Sequence, residues 1–251
     1  MFIPKITAQD KGKSQLVFSD PMEPFSYEKL TQMRPVRAPV RTYRGARGLV
    51  ADLDGLRSFG AESYLEVNAL KVIIACSRAD FILEQPFHLR YFDQHHKWVS
   101  YTPDILFVRH GKVYVVEVKP DNRATDAADL AKFKKITTLL SGYGISYRVW
   151  RQSQIKAEPR LSIAIQLLNF RRVQASGHDL EAVRRYLRDG KDPSPLAALV
   201  KATCIEPGVI CRLILAGSIH LDWASPFKSQ SLISLSPFPN RDWPNDAAEE
   251  R

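Results

Sequence analysis

The sequence predicts an α/β fold, a mixed β-sheet flanked by helices, followed by a smaller unit of helices and a hairpin. Three observations predict it. Val113-Tyr114-Val115-Val116-Glu117-Val118-Lys119 is a dense β-branched and aromatic run, the composition of a buried strand, and the apolar run after Asp104 reads the same way. Leu130, Phe133, Ile136, Leu139 and Leu140 recur at three- and four-residue steps, which predicts a helix over 126–142 ending at Gly142. Ser146 to Trp150 then reads as a further strand.

Residues 1–57 are rich in Pro, Gly, Arg and Lys with weak periodicity, and are expected to form an extended basic arm with at most one short strand or helix. Ser58 precedes a helical pattern through Tyr64, Leu65, Leu70, Val72, Ile73 and Ile74, with Glu62 and Glu66 four apart on one face. Phe81 to Phe92 alternates like a half-buried strand, in which Pro86 requires an edge or a bend. Strands follow at 98–108 and 112–119, joined by a hairpin at Arg109-His110-Gly111-Lys112. Together these elements, within 58–172, make an α/β sandwich.

A helix after Pro159, running through Phe170, links to a second unit over 173–238. His178–Arg188 is helical, and Asp189-Gly190-Lys191-Asp192-Pro193 breaks it. Pro195–Thr203 and Glu206–Leu215 read as two more helices. Gly217 ends the second, and 218–222 with 231–235 read as paired strands. Three helices and a hairpin predict a winged helix-turn-helix, a unit that docks DNA or protein. Its second turn helix is poor in basic residues, which favours protein at least as much as DNA. Residues 239–251 read as a flexible tail.

A chain of 251 residues suffices for one sizeable core and a small second one, and its formal charge of +9 suits a polyanionic partner. The positive charge is clustered. Arg34, Arg37, Arg41, Arg44 and Arg47 occur without an intervening acidic residue, a candidate phosphate-contacting arm. Lys132, Lys134 and Lys135 form a second basic face. Cys76, Cys204 and Cys211 lack C-x-x-C spacing and read as reduced core residues of a cytoplasmic protein. His95-His96 has no partner at ligand spacing and reads as a hairpin tip. No charged-then-apolar leader opens the chain, and Lys201, Glu206 and Arg212 interrupt its longest apolar stretch, so neither a signal peptide nor a membrane span is expected.

The chemistry concentrates in two short runs, Tyr101-Thr102-Pro103-Asp104 and, thirteen positions after Asp104, Glu117-Val118-Lys119. On a strand, Glu117 and Lys119 face the same side, and a neighbouring strand brings the Asp104 carboxylate toward it. Two carboxylates and an ammonium at the end of an apolar sheet are costly unless a cation or phosphate compensates them. Hard oxygen donors point to magnesium, with manganese as its substitute, and so to metal-assisted phosphodiester hydrolysis. Either run by itself is also compatible with a turn cap or a same-face surface pair.

Ser63-Tyr64-Leu65-Glu66, Gln85-Pro86, Tyr101-Thr102-Pro103-Asp104 and Glu117-Val118-Lys119-Pro120, in this order over 58–150, resemble the PD-(D/E)xK nuclease superfamily and, more narrowly, the TnsA family of transposon-end endonucleases. The resemblance implies a restriction-endonuclease-like fold. It also implies that Glu66, Asp104 and Glu117 hold one or two magnesium ions, with Lys119 beside the attacking water. Glu66 fits the S-x-L-E register better than Glu62. As partners the resemblance implies DNA at transposon ends, a TnsB-like transposase that cuts and joins the 3′ ends while this chain cuts the 5′ ends, and a TnsC-like AAA+ regulator on the C-terminal part. A stand-alone nuclease of the same fold, in restriction or repair, and a non-enzymatic DNA or protein adapter are the alternatives.

Overall fold

In the computed structural model, which describes residues 4–7, 15–18, 32–36, 48–77, 79–92 and 97–238, packing separates two units. One is drawn from residues up to Val50, Phe59–Val67 and Ala79–Ser153, the other from Ala51–Ser58, Asn68–Arg78 and Gln154 onward. Sequence patterning set the corresponding boundary at 172.

The elements up to Ile155 are β1 (Pro4–Thr7), β2 (Gln15–Phe18), β3 (Gly48–Ala51), β4 (Ser58–Ala61), α1 (Tyr64–Val72, continued by a π-helix over Ile73–Ser77), β5 (Phe81–Glu84), β6 (His88–Phe92), β7 (Trp98–Tyr101), β8 (Ile105–Arg109), β9 (Lys112–Lys119), α2 (Asp121–Ala124), α3 (Ala127–Ser141), β10 (Ile145–Arg151) and α4 (Gln152–Ile155). One four-stranded sheet has the order β10-β9-β8-β5, with β9 and β10 parallel and the other pairs antiparallel. A second has the order β1-β2-β6-β7, with β2 and β6 parallel. The expected arm therefore contributes strands to a sheet, and Met33 joins the core. Its backbone finds ladder partners there, as buried backbone must.

The strands expected over 81–92 and 98–108 are each divided in two, at Gln85-Pro86-Phe87 and Thr102-Pro103-Asp104, where the chain passes from one sheet to the other. The prolines explain the breaks, because neither could donate to a central ladder. Gln85 takes a positive φ of 41°, and its N–H donates to the Asp104 carbonyl at 2.8 Å, tying the two crossings together. The hairpin between β8 and β9 follows expectation. Arg109 pairs with Lys112 around His110 and Gly111, whose φ values of 50° and 74° suit a two-residue primed turn.

Val115 and Val116 are both fully buried, so β9 is covered on both faces, in keeping with its continuous apolar composition. On one face, Leu83, Leu106, Val108 and Val115 pack with Leu89, Tyr91 and Tyr101 of the second sheet and with Phe133, Ile136 and Leu140 of α3. The buried stripe of α3 is narrower than its periodicity predicts, since Leu130 is exposed. Asp126 caps α3, accepting from Ala128 N and Asp129 N, and Gly142 ends it in a right-handed conformation. The left-handed step falls at Gly144 instead.

Ser58–Ala61 is strand β4 rather than the approach to a helix. The helix begins later, at Tyr64, because Ser63 Oγ accepts from Glu66 N at 3.2 Å and starts the first turn there. Tyr64 faces solvent despite its place in the apolar pattern. Gly48 seats this turn: a β-carbon at that position would lie 2.5 Å from Val67 Cγ2, so only glycine allows β3 to approach so closely.

The second unit contains α5 (Arg160–Leu168), α6 (Gly177–Arg188), β11 (Ser194–Pro195), α7 (Leu196–Thr203), α8 (Pro207–Leu215), β12 (His220–Leu221) and β13 (Leu232–Ser234). The three strands pair antiparallel in the order β11-β13-β12. Ser176 and Asp179 form a capping box at α6, and Leu161, Ile163, Ala164, Val183, Leu187, Leu199 and Ile210 are among the buried residues. Cys76 and Cys211 are buried and Cys204 is exposed. Cys204 departs from the expected core role because it occupies the left-handed cap of α7, with φ 57°. Burial pushes the Cys211 thiol up to about 12. No helix among the described residues is long and apolar enough to cross a membrane.

Candidate active site

The site forms where β8 and β9 run side by side. Ile105 pairs with Val116, so Asp104, one step before β8, stands beside the end of β9. Its Oδ2 accepts from Val118 N at 2.7 Å. Glu117 is 3% exposed and on the core face, while Lys119, one pleat further, is 25% exposed and reaches back to Glu117 Oε1 at 2.6 Å. The period-two argument from the sequence describes this pair correctly.

Glu66 comes from the first turn of α1. Ser63 Oγ donates to its Oε1 and Glu62 N to its Oε2, both at 2.8 Å. These bonds give Glu66 a helix-capping role, yet its carboxylate also lies in the fields of Lys119 and Asp104. Glu62 is exposed.

Charge is crowded here. Burial first, then Glu117 and Glu66, raise the Asp104 carboxyl well above the ordinary aspartate range, against the opposing pull of Val118 N–H and Lys119. Burial likewise raises Glu66, although the Glu62 and Ser63 hydrogen bonds resist. Burial pulls Lys119 down, but Glu117, with Asp104 and Asp129, more than reverses this and holds its ammonium above the ordinary lysine value.

Three further residues shape the site. Tyr101, at the end of β7, donates its buried hydroxyl to Glu117 Oε2. Its oxygen lies 3.0 Å from the Tyr147 hydroxyl on β10; with the Tyr101 proton committed to Glu117, Tyr147 is the donor between them. Burial and the Glu117 charge raise both phenols, so they stay protonated. Tyr101 opens the first of the two runs, but nothing in the sequence singles out Tyr147. The third, Asp129 of α3, bears on Lys119 and also pairs with Arg123 Nε at 3.0 Å. From the same helix Lys132 lies over the Tyr101 ring at 4.4 Å and Lys135 over Tyr91 at 5.8 Å, whereas Lys134 points to solvent.

Tyr101→Phe deletes one hydroxyl and leaves a buried carboxylate oxygen without its donor. We expect a loss of about 1–3 kcal/mol in denaturant unfolding, with the fold retained. No change would mean that water replaces the phenol.

Magnesium suits this donor set. Asp104 Oδ1 receives no hydrogen bond among the described residues, and Lys119 is the positive charge set among three crowded carboxylates. Among the described residues no three His, Cys, Asp or Glu side chains form a complete metal-binding group. A magnesium ion here would take Asp104 and Glu117 and leave its remaining positions to water and substrate oxygens, as that ion commonly does.

Arg34 is exposed; Arg37, Arg41, Arg44, Arg47, the pair His95-His96 and the tail 239–251 lie outside the described residues.

A carboxylate on each of two neighbouring strands of a mixed sheet, with a lysine two residues beyond the second, is consistent with a nuclease fold. Residues 78–152 match the family model described as TnsA-like endonuclease N terminal. The match spans less than half of the chain but includes Asp104, Glu117 and Lys119. It begins after Glu66. No curated protein matches the chain.

Proposed function

We propose that the protein is a magnesium-dependent DNA endonuclease subunit of a cut-and-paste transposase, hydrolysing phosphodiesters at the 5′ ends of the element beside a TnsB-like transposase. The observation that carries this reading is the gathering of Asp104, Glu117 and Lys119 at one sheet end, inside the segment that matches a TnsA-like endonuclease. Asp104 and Glu117 hold the metal. When bound, magnesium supplies charge neutralisation at the scissile phosphate and makes water a stronger acid. Lys119, kept protonated, orients the attacking water or offsets charge developing on the phosphoryl oxygens. Tyr101 fixes the Glu117 carboxylate, and Glu66 adds negative potential from the helix.

The arrangement of α6, α7, α8 and the three short strands supports a winged-helix unit over 173–238, following the nuclease domain of 58–172, and we assign it to docking a TnsC-like AAA+ regulator. The exposed Arg34 supports a DNA-contacting role for the basic segment, and we assign the protein to the cytoplasm on the reading that it acts on DNA.

The test is incubation of the purified chain with Mg²⁺ and end-containing duplex, with and without the neighbouring transposase. Cutting of the 5′-ended strands only with the transposase supports the proposal. Efficient cutting by the chain alone favours an autonomous nuclease, and no cutting in either condition favours an adapter.

A further inference from the structure

We propose that an arginine-lined cleft in the second unit binds a backbone phosphate of duplex DNA, an inference that rests on the reading of this protein as a DNA enzyme. The cleft has a volume of about 650 Å³ and lies among the 54–55 turn, the segment 171–177 between α5 and α6, and α8. Arg171, Arg172 and Arg212 are among its lining residues.

The turn brings two of them together. It is closed by Asp52 N donating to the Arg57 carbonyl at 2.9 Å and by Arg57 N donating to Asp52 Oδ2 at 3.1 Å. Arg212 Nη2 reaches Asp54 Oδ1 at 3.0 Å. Arg172 lies against the next residue: a β-carbon on Gly55 would sit 3.5 Å from its Nε and 3.9 Å from its Nη2. Gly55 has φ +70°, so glycine is suited here both to the backbone and to the guanidinium beside it. Arg171 is anchored by Nη1 to the Leu168 carbonyl at 2.8 Å, and its buried Nε has no acceptor among the described residues.

Three arginines thus line a cleft whose one lining carboxylate, that of Asp54, is 66% exposed. The N-terminus of α6 is not the source of attraction, because Ser176 and Asp179 already cap it. A planar guanidinium fork fits phosphate oxygens in pairs, and guanidinium groups converging from different segments suit the tetrahedral oxygens of a phosphodiester. With a chain charge of +9, a polyanionic ligand is favoured at long range as well.

The test uses the full chain carrying Asp104→Ala, so that DNA is bound but not cut. Anisotropy of a fluorescein-labelled duplex is followed over a range of KCl concentrations. Adding Arg172→Glu should weaken binding about 3–10-fold and lower the salt slope by about one. Adding Asp54→Asn, which removes the competing carboxylate, should instead tighten binding about two- to fivefold. These opposite signs support the cleft. Unchanged binding in both variants overturns it, as does weakening in both accompanied by a lower Tm, which would mark the turn as purely structural. A labelled polyglutamate peptide is the control; if it responds to the variants while the duplex does not, the cleft docks an acidic protein and the proposal fails. Because this binding is measured without cutting, opposite shifts beside an inactive wild type would keep the cleft and remove the nuclease reading.

Discussion

Lys119→Ala is expected to lower strand cleavage on the order of 10²–10³-fold or more, with DNA binding largely spared. The ammonium is the positive charge 2.6 Å from Glu117 at this site and lies in the fields of Asp104 and Asp129. Removing it leaves a buried carboxylate without its cation, so Lys119→Ala should also destabilise the fold, by about 3–5 kcal/mol for a fully buried pair and less here, where lysine is partly solvated. Lys119→Arg separates the two effects. It restores the charge and hence stability, but a planar fork cannot place a point charge as an ammonium does, so cleavage should remain low. The sign of the pH dependence follows from the raised lysine value. Stability from the pair is fully present below the unfolded lysine pKa, about 10.4, and is lost as pH rises through the higher folded value. Cleavage–pH profiles should therefore show no loss of the Lys119 proton between neutral pH and mild alkali. Cleavage by Lys119→Ala at the wild-type rate would sink the site assignment.

The second large effect concerns stability rather than rate. Asp104→Asn should raise Tm at neutral pH in the absence of divalent cations, while abolishing cutting. In the wild type the Asp104 carboxyl titrates well above its ordinary range, because burial, Glu117 and Glu66 all disfavour its charge. The folded chain then binds its proton more tightly than the unfolded chain, so stability falls as pH climbs from the unfolded aspartate pKa, about 3.9, through the raised folded value. Asparagine removes that penalty and keeps an oxygen to accept from Val118 N. Each kcal/mol recovered is worth about 2–4 °C in a chain of this size. The gain should vanish in acid, where wild-type Asp104 is already protonated. Mg²⁺ or Mn²⁺ should raise the wild-type Tm more than that of the variant, since a ligand binding only the folded state stabilises it. A lower Tm for Asp104→Asn at neutral pH would show that the carboxylate is already compensated within the protein.

Lys119 and Asp104 were both legible in the sequence because their signals are local. A two-residue spacing on a β-branched run fixes which face Glu117 and Lys119 share, and Pro103-Asp104 stands directly before an apolar run. The hairpin at His110-Gly111, strand β9, and the helices from α6 to α8 were legible for the same reason, their bounds falling within a residue or two of the periodicity. Strand β4 was not, because four residues before a strong helical pattern carry too little signal to be separated from it. Neither was the split of each long strand between two sheets. Proline announces a break without saying where the chain goes next.

The sequence by itself determined the order of the longer helices, the α/β class and the pair of carboxylates with their lysine, since each depends on residues near one another along the chain. Only the tertiary structure decided that Tyr101 and Tyr147 would line up on Glu117 and that Glu66 would divide its carboxylate between a cap and the site. It likewise brought Arg172 and Arg212 to the same turn. Those contacts join residues from separate segments, and their partners are set by sheet register and burial, which no local spacing encodes.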